Sequence, residues 1–454
     1  MEVNKYINDV KDGKVSVIKT VKDILKEANK INKDYNYFNN ISEELALELA
    51  DNVNLDGKLA GLPISIKDCI CVRDVESTAG SKILNGYKPL FNATVIDKLI
   101  KEGAVIIGKT SQDEFGFGSF NVNVGLDKKI PKNPLDKERV TGGSSGGSAG
   151  FTRLTKHPHV SISESTGGSI ACPASFCGVA GLTPTYGLVS RYGLIDYANS
   201  LDKIGVMGKN VSDTKLVLDV IPGHDEKDST SLKEKVKEDS KVKKVGIIEE
   251  SLNVEDKIKD KIYEYLDSNN INYVKIKLPL TNKFSLDSYY IIAMAEASTN
   301  LAKLSGMRYG VEEDVEGKNF NEYFTKIRSE NFGKEAKRRI ILGTFTRMAG
   351  YRDAYYLKAM KVRRLIIEEY KKAFQKVDLL VSPTMPITAP KLTDVNKLKP
   401  IENYMMDILT AGPNLAGLPH LNVNVGYLHK MPIGLMFIAD YLNENKLYNF
   451  ENVI

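Results

Sequence analysis

The sequence predicts an α/β protein built around a mixed or parallel β-sheet. Three observations lead there. Stretches of helical periodicity alternate with short apolar runs that suit buried strands. Hydrophobic residues make up 42% and charged residues 27%, the balance of a soluble globular chain. With 454 residues, the chain can bury a large core without a metal or disulfide staple.

Taken in order, residues 15–32 repeat apolar positions at helical spacing. "SEELALELADNV" predicts a second helix with Ser42 as N-cap. "LAGLPISIKDCICV" (59–72) is apolar with alternation, a buried strand. "TVIDKLIKEGAVIIGKT" (94–110) reads as helix, glycine stop and strand. The charged stretch 222–244 predicts a surface connection, and the segment after it a strand–helix–strand unit. Residues 332–377 are strongly helical, and "VDLLVSPT" and "LPHLNVNVGY" predict late strands. No fixed-period repeat is present.

Net charge is +5, from 63 basic and 58 acidic residues, too mild to argue for direct nucleic-acid binding. The first residues carry no apolar signal-peptide core, and no run of eighteen apolar residues occurs. Together with only four cysteines, this predicts a reducing, cytoplasmic setting without a membrane. Cys69, Cys71, Cys172 and Cys177 lack zinc-site spacing and suit small core positions, so no metal is expected.

Two formal motifs mislead. Gly103–Thr110 fits the phosphate-loop pattern, but its middle residues "AVII" favour an extended buried strand. Gly143–Gly147 fits the nucleophile elbow of α/β-hydrolases. That elbow needs a partnered histidine, and His420 and His429 lack a triad context. There remain two glycine–serine runs, "RVTGGSSGGSAG" (139–150) and "ESTGGSIACP" (164–173). Strand and helix signals flank the first run closely, which argues against a linker. A serine attacks a carbonyl only if its proton is removed, and a lysine kept neutral by burial can do so. Lys67 in "GLPISIKD" lies with Ser65 on the strand face opposite Ile64 and Ile66. On residues alone, it fits that base or a strand-end lysine that snorkels to water.

"GLPISIKD", "TGGSSGGSAG" and "STGGSIACPASFCGVAGLTPTYGLVSRYGLIDYANSLDKIG" together resemble the amidase-signature family, in the family's order and over nearly the whole chain. Within it, "DEFGFGS" (113–119), "RRIILGTF" (338–345) and "DILTAGPNLAGLP" (407–419) look like glutaminase (A) subunits of tRNA-dependent amidotransferases. The resemblance implies one amidase-signature domain over 1–454. Its core motifs would lie at 61–210, with a more variable portion at 225–345, and its large mixed central sheet would carry helices on both faces. It implies Ser169 as nucleophile, Ser144 as bridging serine behind a cis peptide bond, and Lys67 as base. The main-chain N–H groups of Thr166, Gly167, Gly168 and Ser169 would face the oxyanion. Arg339 would bind the carboxylate of glutamine, with Arg338 beside it as the other candidate. Asp407 would bind the ammonium group, and Tyr290 would line the pocket.

The same resemblance implies that glutamine-derived ammonia goes to a B subunit. That subunit would use ATP and Mg to amidate Glu-tRNA(Gln) or Asp-tRNA(Asn), while a small C subunit would wrap the junction. This chain would need no cofactor, and tRNA would bind mainly through B. The competing expectations are a free-standing amidase for a small or fatty amide, and a binding subunit with a dead site. The chain departs from the family at Ser165 (usually Asp), Ala171 (usually Arg in bacterial members) and Thr183 (usually Lys). Its Ser144–Ser169 gap is also one residue longer. Together these look like the archaeal version and put copied substrate contacts in doubt.

Overall fold

A computed structural model describes residues 2–450 except 126, 315 and 318. Eleven strands form one sheet: β1 (Phe38–Ile41), β2 (Pro63–Lys67), β3 (Val105–Thr110), β4 (Val160–Ser165), β5 (Ala180–Thr183), β6 (Lys203–Gly208), β7 (Val245–Ile248), β8 (Tyr273–Ile276), β9 (Leu379–Pro383), β10 (His420–Leu428) and β11 (Met431–Ala439). Their order is β1-β3-β2-β4-β6-β5-β10-β11-β9-β7-β8. β2 runs parallel to both β3 and β4, and β7 runs parallel to β8 and β9. The remaining pairs are antiparallel, so the sheet is mixed. Every residue of β2, β3, β4 and β6 is buried. Successive strand residues face opposite sides, so burial of both parities means that both faces are covered.

Most expected elements are present, with shifted ends. The first long helix spans Val17–Tyr35, capped where Ser16 accepts the N–H of Lys19. The next covers Glu43–Asp51 after Ser42, but the Ser42 hydroxyl bonds Asn40 instead of capping it. The apolar run 59–72 is strand only over Pro63–Lys67. Cys69 and Cys71 follow in a buried turn. A chain reversal ends the strand there and leaves Lys67 at its carboxyl end. Between 332 and 377 there are two helices, Lys334–Arg347 and Lys358–Phe374, separated at 348–352 where Gly350 takes a positive φ.

The phosphate-loop match is strand β3, and Lys109 within it is fully buried against Ser77 (2.6 Å) and the main chain of Asp68 (3.2 Å). No described helix is long and apolar enough to cross a membrane. Among the described residues, no cluster of three His, Cys, Asp or Glu side chains could hold a metal ion.

Candidate active site

The site forms where the parallel strands β2 and β4 end side by side, with Ser65 in register with Ser161. Ligand sites in α/β sheets favour the carboxyl ends of strands, where loops diverge and leave a crevice. Lys67 is the last residue of β2, and its side chain is fully buried. Its Nζ lies 2.7 Å from Ser144 Oγ, 3.0 Å from the Glu164 main-chain oxygen and 2.9 Å from Glu164 Oε2. A carbonyl and a carboxylate can only accept here, so they take two N–H groups. The remaining vertex faces Ser144. As an amine, Lys67 presents its lone pair there and can accept the Ser144 proton. The snorkelling alternative is thereby excluded, because the amine does not reach water.

Ser144 sits in a turn whose Gly143–Ser144 peptide bond is cis, the geometry the resemblance implied. The loop after β3 shapes that turn. Asp113 N–H donates to the Ser144 carbonyl at 3.1 Å, and Gly143 N–H to the Ser119 carbonyl at 2.9 Å. A side chain at 143 would start 2.1 Å from the Asp113 carboxylate, which is why glycine stands there. Asp113 is buried and accepts the N–H groups of Asn121 and Asn123. Burial pushes its pKa up to about 6. Among the described residues no histidine hydrogen-bonds to Ser144, Ser145 or Ser169, so the hydrolase-elbow match has no histidine to serve it. His159 instead pairs with Ser65 (3.0 Å), and burial lowers its pKa to about 3.

Ser169 follows β4 in the loop leading to the helix Ala171–Cys177, and it is 6% exposed. The Gly167 carbonyl is held by Ser165 Oγ (2.9 Å) and by the side-chain amide of Asn414. Among the described residues, the N–H groups of Gly167, Gly168 and Ser169 have no acceptor within the protein. Successive donors left without a protein acceptor suit a developing oxyanion.

The second half of the site comes from distant segments. Arg339, on the helix Lys334–Arg347, is buried, with its guanidinium among the rings of Phe117, Tyr290, Tyr404 and Tyr197 at 4.9–5.6 Å. Its Nε bonds Glu335 at 2.8 Å. Arg338 is 41% exposed and turns to Glu335 from outside, so of the two only Arg339 points inward. Asp407 is buried and accepts from Tyr290 OH (2.5 Å) and Ser119 Oγ (3.2 Å). Burial raises its pKa. A Cβ at Gly168 would lie 3.1 Å from Asp407 Oδ1, so this carboxylate meets the backbone one residue before Ser169. A cleft of about 160 Å³, lined in part by Ser119, Glu335, Arg339 and Tyr404, opens beside them.

Sequence reading assigned no role to Glu164, Asp202, Ser119 or Asn414. Glu164, an acidic residue inside a buried strand, carried a visible signal; Ser119 and Asn414 lay inside quoted motifs. The four cysteines are free and buried, and two donate to carbonyls, Cys172 to Ser119 and Cys177 to Thr141.

The amidase family profile matches residues 19–448. The A subunit of glutamyl-tRNA(Gln) amidotransferase from Archaeoglobus fulgidus is 44% identical, with 91% of each chain aligned. Its counterpart from Halothermothrix orenii is 45% identical over 86% of this chain and 83% of its own. The crystal structure of the Thermotoga maritima counterpart superposes with a TM-score of 0.77 at 34% identity, covering 96% of this chain and 93% of that one.

Proposed function

Because this chain belongs to the amidase family, we propose that it is the glutamine-hydrolysing component of a tRNA-dependent amidotransferase, with Ser169, Ser144 and Lys67 as its proton relay. Ser169 Oγ attacks the side-chain amide carbon of glutamine as its proton passes to Ser144, and Ser144 passes its own proton to Lys67. The carbonyl oxygen, now anionic, is received by the N–H groups of the Thr166–Ser169 loop. When the tetrahedral adduct collapses, the proton returns through Ser144 to the nitrogen, and ammonia leaves. Water then attacks the glutamyl ester by the same relay and frees Ser169. Arg339 takes the α-carboxylate and Asp407 the α-ammonium, with Tyr290 and Ser119 holding Asp407 in place.

The observation that carries this reading is the meeting of Asp407 with Gly168, beside Ser169, while Tyr290 joins the two charges, its hydroxyl on Asp407 and its ring 5.4 Å from the Arg339 guanidinium. A free amino acid presents a cation and an anion on one carbon, and Asp407 and Arg339, on either side of Tyr290, offer a counter-charge for each. The ammonia would serve a B subunit that binds ATP, Mg and the misacylated tRNA, while a C subunit would wrap the junction.

The test is to co-express the chain with candidate B and C subunits and supply glutamine, ATP and either Glu-tRNA(Gln) or Asp-tRNA(Asn). Glutamine-dependent amidation should vanish in Ser169→Ala while added ammonium still works, and the reactive tRNA identifies the acceptor. Ser169-dependent hydrolysis of simple amides without tRNA amidation would instead identify a free-standing amidase.

A further inference from the structure

We propose that Glu164 is a positioning residue of the proton relay, holding Lys67 by main chain and side chain and supplying the counter-charge for the ammonium formed when Ser169 attacks. The inference rests on the relay reading above but adds a fourth member to it. Glu164 contacts Lys67 Nζ twice, through its carbonyl at 3.0 Å and its Oε2 at 2.9 Å. Both groups are acceptors on one residue, so together they fix the rotation of the amine. The lone vertex that remains is the one facing Ser144 at 2.7 Å. The position of a Cβ on Gly116 would be 3.5 Å from both Glu164 Oε2 and Ser144 Oγ, so the three groups share one small space.

The carboxylate is itself restrained. Thr166 Oγ1 lies 2.7 Å from Glu164 Oε1 and 2.8 Å from Asp202 Oδ1. A hydroxyl has one proton and cannot donate to two carboxylates. One of the two acids must therefore carry a proton and donate it to Thr166. Asp202 is that acid: it is fully buried, its pKa is raised well up by burial and then by the Glu164 charge, and among the described residues it faces no cation within hydrogen-bonding distance. The chain of bonds then runs from Asp202 O–H to Thr166 Oγ1, from Thr166 O–H to Glu164 Oε1, and from Lys67 N–H to Glu164 Oε2. Glu164 stays anionic. When Lys67 gains the proton that Ser169 gave up, an ammonium–carboxylate pair exists for the lifetime of the adduct. The proton then returns to the leaving nitrogen, so Glu164 neither gains nor loses one. This is the orienting and charge-compensating role a carboxylate plays behind a histidine base, here behind a lysine.

Other titratable groups feel the charge of the amine or of Glu164. Asp113 comes from the loop after β3, Cys69 lies two residues on from Lys67, and Asp202 stands behind Thr166. Burial holds the Asp113 carboxyl above the usual carboxylate range, at about 6, so it is a second group whose titration can reach the amine. The test must therefore follow Glu164 and Asp113 separately.

The experiment compares the full chain, with its partner subunits where glutamine hydrolysis needs them, as wild type, Glu164→Gln, Glu164→Asp, Asp113→Asn and Ser169→Ala. Two readouts are taken against pH: kcat/KM for glutamine hydrolysis, and the rate at which phenylmethanesulfonyl fluoride inactivates the chain. The second reports Ser169 activation whatever the natural amide is. Glu164→Gln should lower kcat by about 10-fold or more with KM little changed. Without the carboxylate the ammonium is less favoured, so the acid limb of both profiles should move down by about one pH unit or more. Glu164→Asp keeps the charge and should leave the limb near its wild-type position despite a lower kcat. Asp113→Asn should not reproduce the Glu164→Gln shift.

A Glu164→Gln chain with wild-type limbs in both profiles overturns the proposal, whatever its kcat, since a packing role alone would give that result. If Glu164→Gln does not fold, Glu164→Asp decides: a limb displaced downward by that variant overturns the proposal, and an unmoved limb with lowered kcat supports it. Inactivation without glutamine hydrolysis in the wild type would instead refute the glutaminase reading and leave the Glu164 test readable through the inhibitor.

Discussion

Lys67 and Lys109 stand near the ends of neighbouring parallel strands, β2 and β3, and both side chains are fully buried. Their surroundings separate them. Lys109 faces Ser77, the Asp68 carbonyl and, at 3.8 Å, the Asp68 carboxylate. The Asp68 carboxylate is in turn tied to Asn39, Thr78 and Gly80. That region is a closed polar knot joining strand ends to a loop. Lys67 faces Ser144, in a turn tied through Gly143 to Ser119, which also bonds Asp407 and lines the cleft. A buried lysine becomes a candidate base when one of its neighbours can give it a proton and lies on the path to a ligand; burial alone does not do this.

Breaking each lysine separately tests that contrast. Lys67→Met should reduce glutamine hydrolysis by about 10²–10⁴-fold, the range for loss of a general base, in steady-state assays of the folded protein. Lys109→Met should instead leave kcat unchanged and cost about 3 kcal/mol of stability, because Asp68 loses a buried cationic neighbour. Denaturant unfolding measures it, and an inactive but stable Lys109→Met would erase the distinction.

The pocket half sharpens the comparison, because its residues bind and do not move protons. Arg339→Gln should raise KM for glutamine by about 10–100-fold, the worth of a charge-assisted contact, and Arg338→Gln should do much less. His159, just before β4, is neutral and bonded to Ser65 of β2. Its folded pKa of about 3 is below the ordinary 6.5, so the unfolded chain binds the extra proton first as pH falls. Stability should therefore drop by about 1.4 kcal/mol per unit between pH 6.5 and pH 3. His159→Gln should remove that part of the slope in acid unfolding. The smallest effect is expected of Tyr290→Phe, which removes one hydrogen bond to Asp407. It should raise KM by roughly 5-fold, about 1 kcal/mol.

Local chemistry made much of this legible in advance. The cores of β2 and β3, the Gly103 stop, the helices at 17–35 and 43–51 and the dismissal of the phosphate-loop match all follow from apolar periodicity and glycine placement. The strands β4, β5, β6 and β11 and the long helix Pro279–Asn300 were not read from the residues. The sequences of β5 and β11 are apolar or small at almost every position, so no alternation separates strand from helix there, whereas β4 does alternate, Val160-Ser161-Ile162-Ser163, and its signal was overlooked. The small residues around Ser144 and Ser169 announced a crowded backbone and, through family likeness, named both serines and Lys67.

By itself the sequence determined which residue types could do the chemistry, because glycine, serine and lysine carry their properties wherever they fold. It could not decide between Arg338 and Arg339, since adjacent helix positions differ only in what they face. Nor could it give Glu164 its role. That depends on β2 lying beside β4 in one register, which brings residues 97 apart in sequence to 2.9 Å. Asp407 likewise meets Ser119 across 288 residues. Such contacts arise from strand pairing and packing summed over the whole core, and only the tertiary structure could place a carboxylate against the lysine.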